Sequence, residues 1–284
     1  MILCADDFGI SPSVSESIVE LIEENRITAT SCMVVWPDVE TEMARLRPIK
    51  TQYDLELHVV LTEAKPLTNL KKETGLVDAH GDFLSFRKLL KKAYCGGLIF
   101  ESVLAEIEAQ IQRFMEITGR EPDYIDGHQH VQQLPIVRDA VKEAIVKRKG
   151  TRPIYVRVAG LPFAWYCLLG RSCPLNFSVR NMLVHFPGHF TRKLMTKSGI
   201  PHNRYLLGNY EYEGGEKFEE VFRRYLTLKP GEKDIFYCHP GRADEVLKRR
   251  DSAIHSREEA LTFLRSPLFV EIMEESGVHL NTFF

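Results

Sequence analysis

The sequence lacks the features that mark membrane, secreted and nucleic-acid-binding proteins. None of its apolar runs approaches the roughly 20 residues that a membrane-spanning helix needs. The first residues include neither the basic stretch nor the long apolar segment of a secretory signal. Because the formal net charge is only −2, bulk electrostatics give no reason to expect binding to nucleic acid or to an anionic membrane. We therefore expect a globular protein with no membrane span and no nucleic-acid partner.

Cysteine usage excludes a small scaffold held together by disulfides. The six cysteines form no CxxC pair and show none of the regular spacing of a disulfide framework. Cys4, Cys32 and Cys238 lie inside apolar segments, where a free thiol behaves as a small hydrophobic group. We therefore expect free thiols and a cytoplasmic protein, since the cytoplasm keeps thiols reduced.

What the sequence does contain is a repeated alternation of strand and helix patterns. It predicts strands at residues 2–5, 29–36, 52–62, 123–131, 153–160, 234–241 and 278–284. It predicts helices at residues 11–27, 101–119, 134–148 and 257–276. Ser11 is placed as the N-cap of the first helix and Gly119 as the stop of the second.

This alternation favours a parallel sheet covered by helices, and the pattern fits a barrel and a doubly wound sheet equally well. The alternation is lost at residues 161–217, which are rich in aromatic and basic residues. We interpret the chain as one domain, residues 1–284, that carries an irregular insertion at residues 161–217.

Polar side chains with catalytic or metal-binding chemistry follow most of the predicted strands. These residues are Asp6, Asp7, His58, Asp126, His128, His130, Arg157 and His239. Since the carboxyl ends of parallel strands share one face of the sheet, we expect these side chains to converge there. Asp6 and Asp7 are adjacent carboxylates, which repel each other unless a positive charge lies between them. From the residues alone, either one can be a metal ligand and the other a base.

Residues 126–130 add a spacing pattern of their own. If this segment is extended, its period of two directs Asp126, His128 and His130 to the same side. A carboxylate and two imidazoles with open positions form a common kind of catalytic metal site. Arg157 lies on an otherwise apolar strand, so it requires a buried carboxylate partner. Together these residues favour a metal centre.

Each of these residues also has an ordinary structural explanation. An aspartate after a strand is more often a turn former or a helix cap. Paired acids after a first strand also occur in magnesium-dependent phosphate enzymes, but imidazoles are not the main ligands of such sites. The combination of residues, rather than any single one, therefore carries the metal-centre hypothesis.

Four motifs resemble the YdjC-like carbohydrate deacetylases and occur in the order found in that family. They are ADDFGIS at residues 5–11, LHVVLTEAKPL at residues 57–67, YIDGHQHV at residues 124–131 and CHPG at residues 238–241. The family includes chitooligosaccharide deacetylases and deacetylase-like proteins associated with hopanoid biosynthesis. The resemblance implies a distorted TIM-like (β/α) barrel of about seven strands. It also implies metal-dependent hydrolysis of the N-acetyl group of a small carbohydrate that contains N-acetylglucosamine, either a chitooligosaccharide-like or a lipid-linked sugar.

The resemblance further implies roles for individual residues. The implied metal ligands are Asp7, His58 and His128. Asp6 is then the general base, and His239 is the acid that protonates the leaving amine. We expect Arg157 to keep Asp6 ionised and His130 to position the substrate. Gln132 stands where the family commonly has a further histidine, which leaves the three implied ligands unchanged.

The metal, the substrate and the role of the insertion stay open. The resemblance favours Mg²⁺, two imidazoles by themselves suit Zn²⁺, and Mn²⁺ or Co²⁺ also fits a mixed nitrogen and oxygen site. Sugar contact and a homodimer contact are equally favoured roles for residues 161–217. The alternative functions are a catalytically silent sugar-binding or regulatory barrel and a metal-dependent phosphoesterase.

Overall fold

A single sheet of parallel strands forms the centre of the protein. The computed structural model describes residues 1–148, 150, 152–162, 175–209 and 216–283, with side chains described only from residue 186 onward in the segment 175–209. Within these residues the strands are β1 (Ile2–Phe8), β2 (Ala29–Cys32), β3 (Asp54–Val59), β4 (Tyr124–Gly127), β5 (Tyr155–Val156), β6 (Leu206–Leu207) and β7 (Ile235–Cys238). They pair in parallel in the order β5-β4-β3-β2-β1-β7-β6.

Helices connect the strands. They are α1 (Pro12–Glu23), α2 (Val39–Ala44), α3 (Phe86–Cys95), α4 (Phe100–Thr118), α5 (Val137–Val146), α6 (Leu175–Lys197), α7 (Phe218–Leu226), α8 (Leu247–Arg250), α9 (His255–Arg265) and α10 (Pro267–Ser276). Two 3₁₀ turns lie at Lys72–Thr74 and His128–Gln133. Within the described ranges, no helix has both the length and the apolar character needed to cross a membrane.

The two faces of the sheet bury different cores. Leu3 and Ala5 of β1 belong to a large core that also contains Val14 and Ile18 of α1. The alternate residues of β1, such as Cys4, belong to a small inner core that continues into a polar interior. Because successive side chains of a strand point to opposite faces, the helices cover the outside of the sheet while its inside encloses a narrow interior.

The edge strands β5 and β6 are linked across the remaining gap. The Val156 N–H donates to the Pro201 carbonyl over 3.0 Å, and the Leu206 N–H donates to the Gly160 carbonyl over 3.4 Å. Between these two bonds the Asn203 side chain accepts from the Val158 N–H at 2.7 Å and donates to its carbonyl at 2.9 Å. The curled sheet is therefore a distorted β/α barrel, which confirms the fold class implied by the resemblance.

The predicted start of the first helix and the predicted end of the second are confirmed. The Ser11 side chain accepts the Val14 N–H and Pro12 opens α1, as its position predicts. Helix α4 ends at Gly119, whose φ of 73° is a left-handed conformation that glycine adopts at low cost.

Two predictions for the end of the chain are wrong. The helix predicted at residues 257–276 is two helices, because Ser266 caps α10 and Pro267 occupies its first position. The strand predicted at residues 278–284 is absent from the described residues 278–283. Its apolar residues have another function, since the Phe283 ring packs edge-on against Tyr124 at a centroid distance of 5.3 Å and so fills the inner core.

The strand pattern also differs elsewhere. Strand β1 continues through both aspartates to Phe8 instead of ending at residue 5, and Gly9 follows it with a φ of 90°. The region 161–217, predicted to be irregular, contains α6 and β6, while residues 163–174 and 210–215 lie outside the described residues. Neither element is evident from the sequence, because Pro187 lies inside α6 and two residues are too few for a strand pattern.

Asp54, at the start of β3, makes the stability of the protein depend on pH. Its side chain is 2% exposed and accepts the Phe283 N–H over 2.7 Å. Burial raises its pKa from 3.8 to about 7. Because the folded-state pKa is the higher one, this group's contribution to stability is complete below pH 3.8 and is lost as the pH rises through about 7.

We therefore expect Asp54→Asn, which keeps the acceptor oxygen, to stabilise the protein at pH 8 by about 2–4 kcal/mol relative to its effect at pH 4. Urea unfolding of both proteins at the two pH values measures this difference. Equal effects of the substitution at both pH values would contradict the prediction.

Candidate metal and catalytic site

A cavity of about 750 Å³ lies at the carboxyl ends of the strands. It is lined by the residues that the sequence placed at strand ends: Asp6, Asp7, His58, His128, His130 and His239. Arg157 lies directly behind it, 1% exposed and paired with Asp6. The convergence expected from a parallel sheet is therefore observed for every predicted site residue.

Backbone conformation explains how two adjacent aspartates reach one cavity. In a regular strand Asp6 and Asp7 would point to opposite faces of the sheet. Asp7 instead has a φ of 68°, and the pairing of β1 with β2 shifts register between Ala5 and Phe8. This left-handed residue interrupts the alternation, and both carboxylates then line the cavity.

Asp7, His58 and His128 bring three metal-binding atoms together. Asp7 Oδ1 lies 3.3 Å from His58 Nε2 and 3.3 Å from His128 Nδ1. Asp7 Oδ1 and His58 Nε2 are buried, and neither has a hydrogen-bond partner among the residues that the structure describes. Neighbouring ligands that each lie about 2.1 Å from one ion are separated by about 3.0–3.4 Å. The spacing, burial and chemistry of these atoms therefore fit a divalent cation.

His58 is also held through its other ring nitrogen, Nδ1. His58 Nδ1 lies 2.8 Å from Asp126 Oδ1 and 2.7 Å from Ser31 Oγ, and the Ser31 hydroxyl donates to the same Asp126 oxygen over 2.6 Å. A carboxylate at this position favours a proton on Nδ1 and leaves the Nε2 lone pair for a cation. Asp126 and Ser31 therefore orient His58.

Arg157 connects Asp6 to the same network. Its two terminal nitrogens donate to Asp6 Oδ1 at 2.7 Å and to Asp6 Oδ2 at 2.6 Å, and it also forms an ion pair with Asp126. Burial is the largest single influence and by itself would raise the pKa of Asp6, but Arg157, His58 and His239 together outweigh it and hold that pKa below its usual value. Asp6 is consequently a carboxylate near neutral pH.

Arg257, which the sequence analysis missed, binds the second aspartate. Its Nη2 donates to Asp7 Oδ2 over 2.5 Å and also contacts Asp251. Burial opposes ionisation of Asp7, yet Arg257 and the two imidazoles hold its pKa well below the usual range. The missed signal lies in α9, where Arg257 shares the buried face with Ala260, Leu261 and Leu264. A charged residue on an apolar helix face requires a buried partner.

His239 faces both carboxylates from β7. Its Nε2 lies 3.9 Å from Asp6 Oδ2 and 3.8 Å from Asp7 Oδ2. Burial lowers the pKa of His239 to about 4, although both carboxylates act in the opposite direction. In the protein alone, the ring is therefore neutral near pH 7.

The prediction that Asp126, His128 and His130 face the same side is wrong. Strand β4 ends at Gly127, and the chain then forms a 3₁₀ turn in which Gln129 and His130 have φ values of 55° and 58°. Asp126 is buried behind His58, His128 joins the metal-binding cluster, and His130 lies beside Tyr237 with 3.3 Å between its Nε2 and the Tyr237 hydroxyl. A period of two applies only to extended chain.

Gln132, which replaces a histidine common in the family motif, has a structural contact. Its Nε2 donates to the Arg157 carbonyl over 3.0 Å, and the side chain is fully buried. Gln132 therefore supports the segment that carries Arg157.

Comparison with solved structures supports the architecture. A crystal structure from Enterococcus faecalis V583, of a protein for which cellobiose-phosphate cleavage has been suggested, superposes with a TM-score of 0.76. The match covers 99% of this chain and 96% of that one, at 23% sequence identity. At this level of identity the likeness shows the shared fold.

Two curated relatives carry names that refer to one kind of reaction. The carbohydrate deacetylase of Mus musculus is 34% identical over 148 residues, covering 51% of this chain and 46% of its own length. The chitooligosaccharide deacetylase of Yersinia pestis bv. Antiqua (strain Angola) is 30% identical over 158 residues, covering 55% of this chain and 58% of its own length. The matches therefore span about half the length of these relatives.

The family model of the YdjC-like proteins matches residues 1–275, which is nearly the whole chain. This match includes every residue of the metal-binding cluster, both carboxylate–arginine pairs and His239. The chain belongs to the YdjC-like protein family.

Proposed function

We propose that this protein is a metal-dependent hydrolase that removes the N-acetyl group from a carbohydrate containing N-acetylglucosamine. The observation that carries the proposal is the pair of adjacent aspartates, in which Asp7 joins His58 and His128 while Asp6 stays outside that cluster and is held by Arg157. The names of the relatives, carbohydrate deacetylase and chitooligosaccharide deacetylase, support this class of reaction.

The cation would be held by Asp7, His58 and His128, whose donor atoms lie within 4.8 Å of one another. Such an ion, when bound, lowers the pKa of water and polarises the acetyl carbonyl. Mg²⁺ is the ion favoured by the family resemblance, and the two imidazoles make Zn²⁺, Mn²⁺ and Co²⁺ the other ions to test.

Asp6 is the proposed general base. It lines the cavity beside the metal-binding cluster, and the two hydrogen bonds from Arg157 fix the plane of its carboxylate. An ionised, oriented carboxylate can accept a proton from the attacking water. Arg157 acts through Asp6 because it is buried behind the cavity.

His239 is the proposed acid for the leaving amine. Because burial lowers its pKa to about 4, it begins the reaction as a neutral ring and must gain a proton during it. Asp6 is the proposed source of that proton. Its Oδ2 lies 3.9 Å from His239 Nε2, so the transfer requires the two atoms to approach to hydrogen-bond distance or one water to bridge them. One proton then moves from water to Asp6, to His239 and to the amine nitrogen, while the C–N bond breaks. The acetyl group leaves as acetic acid with the second proton of the water, and this proton is lost to solvent to give acetate.

The remaining cavity wall offers groups for sugar hydroxyls. His130 is the proposed substrate-positioning residue, and the Tyr237 hydroxyl beside it can share that function. The volume of about 750 Å³ lies within the range of small-molecule sites.

Acetate release tests the proposal. The protein is stripped of metal and then assayed on diacetylchitobiose and other N-acetylated sugars, with Mg²⁺, Zn²⁺, Mn²⁺ or Co²⁺ added back. We expect stripping to lower the rate by about 10³-fold or more and at least one ion to restore it. Ions without protein provide the blank.

Two outcomes of this assay would contradict the proposal. Full activity in the metal-stripped protein would show that the reaction does not require a metal. Phosphate release from simple phosphate esters, with no acetate from any sugar in the panel, would favour the phosphoesterase alternative.

A further inference from the structure

Arg257 gives one of the proposed metal ligands a cationic partner. It lies on α9, outside the sheet, and reaches Asp7 across 250 residues of sequence. Its side chain is 2% exposed, and its Nη2 lies between Asp7 Oδ2 and Asp251. The guanidinium is therefore held between two carboxylates.

The two oxygens of Asp7 consequently have different surroundings. Oδ2 accepts from Arg257 over 2.5 Å. Oδ1 has no hydrogen-bond partner within the described part of the chain, and it lies 3.3 Å from His58 Nε2 and 3.3 Å from His128 Nδ1. Only one oxygen of this carboxylate is thus free to serve a cation.

A purely structural role for Arg257 does not explain why a buried positive charge lies beside the proposed cation site. A buried guanidinium close to a cation site repels the cation and lowers its affinity. An apolar side chain at this position of α9 would match its buried neighbours Ala260, Leu261 and Leu264. The charge that offsets Arg257 from the other side is Asp251, whose side chain is 20% exposed and lines the mouth of the cavity.

We propose that Arg257 is a positioning residue that reserves Oδ2 of Asp7, so that Asp7 gives the metal a single oxygen. Without Arg257, the buried Oδ2 would lack a hydrogen bond and would turn to the cation as a second ligand atom. Reserving Oδ2 leaves room at the cation for water and the acetyl oxygen. This inference rests on the proposed metal-dependent function.

The test uses Co²⁺, because its visible absorption reports the number and type of its ligands. In the Co²⁺-loaded protein, we expect Arg257→Met to change this spectrum, to tighten Co²⁺ binding by about tenfold and to lower kcat by about tenfold with little change in KM. Arg257→Lys keeps a charged donor and is expected to restore the wild-type spectrum. Binding is measured by titration of the metal-stripped proteins.

A second variant avoids disturbing the buried arginine. Asp251→Asn keeps an acceptor for Arg257 but loses the charge. Because Arg257 still donates to Oδ2 of Asp7 in this variant, we expect the wild-type Co²⁺ spectrum, with Co²⁺ binding weakened several-fold by the loss of a nearby negative charge. Thermal unfolding of all variants reports any loss of fold.

The outcomes separate this inference from the proposed function. A wild-type spectrum and affinity in Arg257→Met would overturn it, as would the spectral change of Arg257→Met appearing in Asp251→Asn, or weaker Co²⁺ binding in Arg257→Met and Arg257→Lys alike. If the wild-type protein itself binds no Co²⁺, or binds it without releasing acetate from any sugar, the proposed function fails first.

Discussion

Asp6→Asn is expected to bind the divalent cation as the wild-type protein does and to release acetate at least about 10³-fold more slowly. The amide keeps the size of the carboxylate but cannot accept a proton from water, and a positioned base contributes about 10²–10⁴-fold to a rate. Metal binding should persist because Asp6 is not part of the Asp7, His58 and His128 cluster. Kinetics and metal titration on the same preparation measure both quantities.

The neighbouring aspartate provides the matched control. Asp7→Asn makes the same chemical change one residue later, but it weakens the ligand and leaves Arg257 with only Asp251 as its carboxylate partner. We expect this variant to lose metal affinity by about 10²-fold or more, and its activity with it. If the two variants exchange these results, Asp6 is the ligand and Asp7 the base. An active Asp6→Asn protein would show that Asp6 is not the general base.

The sequence was sufficient to predict those site residues whose reactive side chains directly follow a strand. A parallel sheet places all its carboxyl ends on one face, so Asp6, Asp7, His58 and His239 could be grouped without knowledge of the connecting helices. Their convergence in the structure follows from that rule. The direction of each side chain does not, because it depends on local conformations such as the φ of 68° at Asp7.

The orienting residues were the least predictable. Ser31 lies within the short strand β2, and Arg257 lies on an outer helix near the end of the chain. Neither belongs to a motif, and both act through contacts between residues distant in sequence. Only the apolar face around Arg257 offered a sequence signal.

The closure of the barrel could not be predicted from the sequence, for a different reason. Two short strands, β5 and β6, meet partly through the Asn203 side chain, which replaces backbone pairing with Val158. A side-chain amide that completes a sheet has no periodicity. The aromatic and basic composition around it therefore suggested an irregular insertion.

His128→Ala is expected to lose both metal binding and activity, and its neighbour His130 allows a matched comparison. The two histidines share one 3₁₀ turn, but His128 Nδ1 lies 3.3 Å from Asp7 Oδ1 whereas His130 contacts Tyr237. Removing one of three protein ligands should weaken metal binding by about 10²-fold or more.

His130→Ala should instead bind metal with unchanged affinity and raise KM several-fold, because it removes only a proposed contact with the sugar. Titration of both stripped proteins with Zn²⁺ and Mn²⁺, followed by acetate assays at saturating metal, separates the two roles. Equal loss of metal affinity in both variants would mean that the 3₁₀ turn, rather than His128 itself, holds the site together. Unchanged affinity in His128→Ala would remove that residue from the ligand set. It would favour the neighbouring group of Asp6, His58 and Asp126, whose ligand atoms also lie within 4.8 Å of one another, and Asp126 is then the next residue to substitute.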